Sequence, residues 1–179
     1  MTEQQISTTT RYDGAIFAVT TDIVRLPDSS DAFRDIVHHN GGVCVLPLHE
    51  DGTVTLVKQY RYATQQALLE IPAGKLEKGE EPQACAIREL REEVGLKAKN
   101  IELLTVIYPT GGYSTEQIYI YLATDLTFVG QQLDEGELLE VFNMPLDELV
   151  AMTLRNEIPD AKTALAVLIT NEKKRGTQP

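Results

Sequence analysis

The stretch GKLEKGEEPQACAIRELREEVGL, residues 74–96, decides the fold. Pro82 suits the first turn of a helix and Gly95 suits the position just beyond its last turn, so we predict a helix over Pro82–Val94. At about 100° of rotation per residue, three apolar side chains share one narrow face of this helix. They are Ile87, Leu90 and Val94.

A second face of the predicted helix carries Glu89, Glu92 and Glu93. Glu89 and Glu93 are four residues apart, a spacing at which like charges are neighbours and repel. They also lie toward the C-terminal end of the helix, whose dipole disfavours negative charge, so helix stability does not explain them. One interpretation is a solvated acidic face balanced by Arg88 and Arg91. The other is a site for Mg²⁺ or Mn²⁺, which prefer hard oxygen ligands.

Strand-like patterns surround this helix in the sequence. Predicted strands span residues 15–25, 33–38, 42–48, 53–60, 67–71, 101–108, 117–123 and 138–142, and further helices span 146–153 and 161–171. Strands interleaved with few helices indicate α/β or α+β layers around one mixed sheet. We expect a single domain over residues 1–179 with frayed polar ends at 1–10 and 172–179.

The composition excludes several classes of protein. The 179 residues include 16 Lys and Arg against 27 Asp and Glu, a formal net charge of −11, which argues against nucleic-acid or anionic-membrane partners. Apolar runs are too short to span a membrane and the first residues lack a signal-peptide pattern, so we expect a cytoplasmic protein. Two cysteines, Cys44 and Cys85, indicate neither a disulfide framework nor a cysteine-based zinc site.

The spacing within residues 74–96 resembles a complete Nudix box, the motif of the Nudix hydrolases. Gly74 is followed after five residues by Glu80, and after seven more by RELREEVGL at 88–96. The resemblance implies an α/β/α sandwich with a mixed sheet. It also implies divalent-metal hydrolysis of a nucleoside diphosphate linked to another group. In such chemistry the cations neutralise the phosphates and lower the pKa of an attacking water.

The same resemblance implies two groups of site residues. The metal ligands would be Glu89 and Glu93, with Glu92 as a third or water-mediated ligand and the backbone carbonyl of Ala73 as a further one. Arg88 would orient the carboxylates and Glu80 would brace Arg88, because groups behind the ligands fix their orientation.

Flanking segments resemble the ADP-ribose pyrophosphatase branch of this family. They are LEIPAG at 69–74 and KQYR at 58–61. The resemblance implies that Arg61 contacts the diphosphate, with Arg34 as a possible second contact, and places Glu70 and Gly112 among the substrate-binding residues. The segment DAKT at 160–163 is similar to the same branch and is interpreted as a helix cap.

The loop TGGYSTE at 110–116 resembles the catalytic loop of that branch. Its last residue, Glu116, is predicted to be the general base, with a solvated turn glutamate as the alternative. Gly111 stands where the branch usually carries proline. This departure keeps open a different substrate, such as GDP-mannose or another nucleoside-diphosphate conjugate.

The N-terminal strands, over about 12–40, resemble the segment that builds a homodimer in this branch. Phe17 could stack on the nucleotide base or belong to the core. A further alternative from a different class is a non-catalytic module that senses ADP-ribose. The intact set of box glutamates favours the enzyme.

Overall fold

The computed structural model describes residues 2–133, 136 and 138–176, and the chain divides into two compact units. The first comprises Met1–Gly41 and Tyr108–Gln117, and the second comprises Gly42–Ile107 and Ile118–Pro179. Among the described residues, no helix is both long and apolar enough to cross a membrane.

The first unit contains a three-stranded antiparallel sheet. Its strands are β1 (Gln4–Asp13), β2 (Phe17–Arg25) and β3 (Asp31–His39), in that spatial order. The prediction of a frayed segment over 1–10 was wrong, because most of it belongs to β1. This strand is exposed along its whole length and therefore has no hydrophobic alternation, but its backbone pairs with β2 from Gln4 to Asp13.

The second unit is built around a mixed four-stranded sheet. Its strands are β4 (Gly42–Pro47), β7 (Ala73–Lys75), β8 (Leu96–Ile107) and β9 (Ile118–Phe128), in the spatial order β7-β4-β9-β8. The β4–β9 pair is parallel and the other two pairs are antiparallel. The sequence pattern predicted a loop where the three residues of β7 pair with β4.

A second antiparallel sheet belongs to the same unit. It contains β5 (Thr53–Arg61), β6 (Gln66–Glu70) and β10 (Leu139–Pro145), with β5 in the middle. The short turn after Arg61 brings Glu70 at the end of β6 back beside β5, where it pairs in register with Val57.

The described residues of the second unit also form three helices: α1 (Pro82–Val94), α2 (Leu146–Leu154) and α3 (Ala161–Gly176). Helix α1 has the predicted bounds. Gly95 ends it with a left-handed φ of 68°, and its backbone N–H donates to the carbonyl of Arg91 at 2.9 Å. Glycine adopts this conformation without the steric cost that a Cβ brings.

Alternate residues of β4 point to opposite faces of the central sheet. Val43 and Val45 pack with Leu90 and Val94 of α1, whereas Cys44 and Leu46 pack with residues of α2 and α3. Ile87 shares the predicted apolar face but is 48% exposed. The alternation along β4 has the period of two expected for a strand buried on both sides. The sheet therefore has helices on both faces, and the predicted α/β/α sandwich with a mixed sheet is confirmed.

Candidate active site

The two central glutamates of α1 lie against the backbone of β7. Glu93 is 3% exposed, and its Oε2 accepts a hydrogen bond from the backbone N–H of Ala73 at 2.8 Å. Glu89 is 8% exposed, and a Cβ added to Gly74 would lie 1.8 Å from Glu89 Oε1. Glycine at position 74 thus lets a carboxylate approach the strand closely, and the two glutamates meet adjacent residues of β7, Glu93 at Ala73 and Glu89 at Gly74.

Arg88 binds three of the box carboxylates. Its Nε and Nη2 donate to the two oxygens of Glu80, each at 3.1 Å. Its Nη1 donates to Glu89 Oε1 at 2.7 Å and to Glu92 Oε2 at 2.9 Å. The hydrogen bonds from Arg88 lower the pKa of Glu80 to about 2, and the same bonds are the largest cause of the raised pKa of Arg88. One cation therefore orients several carboxylates without neutralising them all.

The donor chemistry of this cluster fits a hard divalent cation. Glu89 and Glu93 place two acidic, largely buried oxygen donors at one strand, and carboxylate oxygens are the ligands that a hard divalent cation prefers. Within the described part of the chain, no three His, Cys, Asp or Glu side chains already stand as a ready ligand set. Arg88 donates to one oxygen of Glu89 and to one oxygen of Glu92.

A second charged cluster surrounds Glu70, which is 1% exposed. Arg61 donates to both of its oxygens, Nε to Oε1 at 2.7 Å and Nη2 to Oε2 at 2.8 Å. Lys162, at the start of α3, donates from Nζ to Glu70 Oε2 and, at 2.8 Å, to Asp160 Oδ1. Asp160 also caps α3, accepting the backbone N–H of Thr163 at 3.0 Å, as the sequence indicated.

Burial and pairing compete in this cluster. Burial alone would raise the pKa of Glu70, but the hydrogen bonds from Arg61 and the charge of Lys162 outweigh it, so the pKa lies below its ordinary value. Burial alone would lower the pKa of Lys162, and the negative charges of Asp160 and Glu70 reverse that effect. Glu70 and Lys162 therefore stay charged at neutral pH.

The remaining predicted residues belong to the first unit. Phe17 packs beside Tyr12 with ring centroids 5.5 Å apart, at the edge of an open cleft of about 390 Å³ that His39 and Thr115 also line. Arg34 is paired with Glu3, through Nε at 3.0 Å and Nη2 at 2.6 Å.

The loop that carries Glu116 is bound to the end of β3. The backbone N–H of Thr115 donates to the carbonyl of Val37 at 2.9 Å, and the Thr115 hydroxyl accepts the backbone N–H of His39 at 3.0 Å. His39 Nδ1 lies 3.7 Å from Glu116 Oε1. At Gly112, an added Cβ would have no neighbour within 4 Å.

A family model described as NUDIX domain matches residues 38–172. The chain belongs to the Nudix family. The predicted family and the predicted enzyme class, a Nudix hydrolase, are confirmed.

Curated relatives cover almost all of this Nudix chain. It is 37% identical over 167 residues to an ADP-ribose pyrophosphatase of Bacillus subtilis, covering 92% of this chain and 90% of the relative. It is 36% identical over 176 residues to an ADP-ribose pyrophosphatase of Mycobacterium tuberculosis, covering 97% and 85%. A methanol dehydrogenase activator of Bacillus methanolicus is 35% identical over 167 residues, covering 92% and 90%. The predicted resemblance to the ADP-ribose pyrophosphatase branch is confirmed.

A solved structure described as an ADP compounds hydrolase has the same fold as this Nudix chain. The TM-score is 0.87 and the match covers 98% of this chain and 96% of the other, at 22% sequence identity. At that identity the likeness bears on the fold alone.

The second unit of this Nudix hydrolase brings most of the predicted site together. Five box residues and Ala73, which precedes the box, meet around β7 and α1: Ala73, Glu80, Arg88, Glu89, Glu92 and Glu93. Arg61 and Glu70 meet each other in the same unit. Arg34, Phe17, Gly112 and Glu116 belong to the first unit. No functional role was predicted for Lys162, whose contact with Glu70 spans 92 residues of chain.

Proposed function

We propose that this Nudix hydrolase cleaves the pyrophosphate bond of ADP-ribose or a related ADP-sugar, producing AMP and a sugar phosphate. The observation that carries the proposal is the pair of buried glutamates, Glu89 and Glu93, held against β7 beside Arg88. Two curated relatives named ADP-ribose pyrophosphatase support the choice of substrate.

Mg²⁺ is the proposed cofactor, with Mn²⁺ as a substitute. Glu89, Glu93 and Glu92, with the backbone carbonyl of Ala73, would hold it. A bound divalent cation supplies charge neutralisation and polarisation of the phosphoryl oxygens. Arg88 and Glu80 then act behind the ligands: Arg88 fixes the carboxylate orientation, and the two bonds to Glu80 fix Arg88.

Arg61 is proposed to bind the diphosphate of the substrate. Its side chain is 41% exposed while its Nε and Nη2 are held by Glu70, so a guanidinium edge can meet an anionic ligand. Arg34 is the proposed second contact and would have to exchange its pairing with Glu3. Phe17 is proposed to stack on the adenine at the cleft, and Gly112 and Glu70 complete the proposed binding residues.

Glu116 is the proposed general base, which takes a proton from the attacking water. The reaction then breaks the bond between one phosphorus and the bridging oxygen, and the water oxygen forms the new bond to phosphorus.

The same proposal includes one functional domain over residues 1–179, a homodimer built through strands over about 12–40, and a cytoplasmic location without nucleic-acid or membrane partners.

The test is hydrolysis of a substrate panel with Mg²⁺, followed by identification of the products. The panel contains ADP-ribose, ADP-glucose, GDP-mannose, diadenosine polyphosphates, NADH and 8-oxo-dGTP. We expect ADP-ribose to be preferred and AMP to be released, with no turnover after chelation of the metal. Failure to hydrolyse any ADP-sugar would contradict the proposal.

GDP-mannose is the second candidate substrate because of Gly111 in the 110–116 loop. Glycine allows the backbone of this loop more conformations than the proline that is usual in the ADP-ribose branch. A preference for GDP-mannose in the panel would leave the metal-site proposal intact and move the specificity to this loop.

A further inference from the structure

We propose that Lys162 and Asp160 are positioning residues which, through Glu70, fix the guanidinium of Arg61 in place. The inference rests on the proposed function for the part that Arg61 plays in binding the diphosphate. It goes beyond that function because it gives the start of α3 a role in substrate binding.

Glu70 holds one edge of Arg61. Both carboxylate oxygens are used, and the paired atoms on Arg61 are Nε and Nη2. A guanidinium is planar with donors in a fixed fork, so binding one edge fixes the plane and the direction of the Nη1 edge. Glu70 itself is 1% exposed, which makes its influence on a ligand indirect, through Arg61.

Lys162 also contacts Glu70 of this pair. Its Nζ contacts Glu70 Oε2 and Asp160 Oδ1, and the side chains of all three residues are at most 14% exposed. The cluster therefore contains two cations, Arg61 and Lys162, and two anions, Glu70 and Asp160. Charges in a buried cluster are tolerated when they are balanced and hydrogen-bonded.

Removal of the Lys162 charge would leave two buried carboxylates with one cation. Asp160 already acts on Arg61 at a distance: the hydrogen bonds that Arg61 donates to Glu70 are the largest cause of the raised pKa of Arg61, and the charges of Glu93 and Asp160 add to it. Without Lys162, Arg61 is the cation that both carboxylates attract. We therefore expect the guanidinium to be drawn away from its present position and toward α3.

The experiment compares four proteins: wild type, Lys162→Met, Lys162→Met/Asp160→Asn, and the control Lys99→Met, which removes an exposed lysine of β8. The double variant removes one charge of each sign, and asparagine can still cap α3. Two readouts are used: kcat and KM for ADP-ribose, and the ¹⁵N NMR signal of the Arg61 Nε–H, assigned by its loss in Arg61→Lys.

For Lys162→Met we expect a rise in KM of about tenfold, since a displacement of about 1 Å can cost up to ~100-fold. The Arg61 signal should shift at the same time. The double variant should have a KM close to that of wild type and should show the wild-type Arg61 signal, because charge balance is restored. Lys99→Met should match wild type in both readouts.

An unchanged KM and an unchanged Arg61 signal in folded Lys162→Met would overturn the inference and leave Lys162 with a purely structural role. If Lys162→Met does not fold, the double variant decides: a wild-type Arg61 signal supports charge balance, and a displaced signal contradicts it. If wild type hydrolyses no ADP-sugar, the proposed function fails, while the Arg61 signal still tests the positioning.

Discussion

Glu93 connects the predicted metal site to the sheet with a single side chain. Its carboxylate is 3% exposed and accepts the N–H of Ala73 with one oxygen. A carboxylate holds a hard cation through its negative charge, so a neutral side chain of the same shape does not replace it as a ligand.

We predict that Glu93→Gln lowers kcat for ADP-ribose at saturating Mg²⁺ by at least about a hundredfold, because metal ions contribute several kcal/mol to such reactions. The amide oxygen can still accept the Ala73 N–H, so the thermal unfolding midpoint should change little. Steady-state kinetics and circular dichroism measure the two effects. The control is Glu140→Gln on exposed β10, and full activity of Glu93→Gln would show that Glu93 is not a ligand.

Individual residues differ in how well the sequence predicts them. Glu80, Arg88 and Glu89 come from one continuous motif, so spacing alone groups them, and the contacts of Arg88 agree with that grouping. Lys162 could not be assigned in this way. It follows a capping aspartate at the start of a helix, a common local pattern, and only the fold brings it to Glu70.

At the level of elements, the loop over 110–116 joins β3 as a short parallel bridge between Val37 and Ser114. The Thr115 hydroxyl extends this pairing by accepting the backbone N–H of His39 at 3.0 Å and donating to the carbonyl of His39 at 3.3 Å, next to the proposed base Glu116. The loop is therefore held by β3 at the residue before Glu116.

We predict that Thr115→Val lowers kcat about tenfold with little change in KM, since small misplacements of a reacting group are costly. Thr115→Ser keeps the hydroxyl and should retain activity, and Thr9→Val on exposed β1 is the matched control. Thr115 is exposed, so the fold should tolerate the valine. A wild-type kcat in Thr115→Val would mean that this bond does not position the base.

Helix α1 was predicted with its bounds because Pro82 and Gly95 act locally at its two ends. The strands that sequence patterns missed have no such signal. Strand β1 is exposed on both faces, so it lacks alternation, and β7 has three residues including glycine. Both exist because a neighbouring strand offers backbone partners, which is a property of the fold.

For the whole molecule, the paired carboxylates predict acid sensitivity. Glu80 has a pKa of about 2 when folded, against an ordinary value of 4.5, and the pKa of Glu70 is also lowered. Below about pH 4.5 the unfolded chain binds more protons than the folded one, so the stability that these groups contribute is lost as the pH falls toward 2.

We therefore predict that the free energy of unfolding declines steadily from pH 5 to about pH 3, measured by urea denaturation with chelator present. Glu80→Gln should be less stable than wild type at pH 7, and the difference should shrink in acid. Parallel curves for Glu80→Gln and wild type would contradict this. Glu140→Gln again serves as the control, since it lies on an exposed strand.

The layered architecture was predictable because hydrophobic runs, turn residues and the box helix follow one another in a regular order. The division into two compact units was not, since the second unit is interrupted in sequence by Tyr108–Gln117 of the first. Where the chain leaves one unit and later returns to it, no local change in composition predicts the crossing.

The parallel pairing of β4 with β9 also bears on how the chain emerges from the ribosome. Gly42 faces Ile118, so the whole of α1 is synthesised before its sheet can be completed. Translation adds about 5–20 residues per second, and folding that depends on distant contacts is slow. The side chains of α1 that pack against β8 and β9 therefore remain uncovered for seconds in the nascent chain, and we expect this part of the helix to bind chaperones during synthesis.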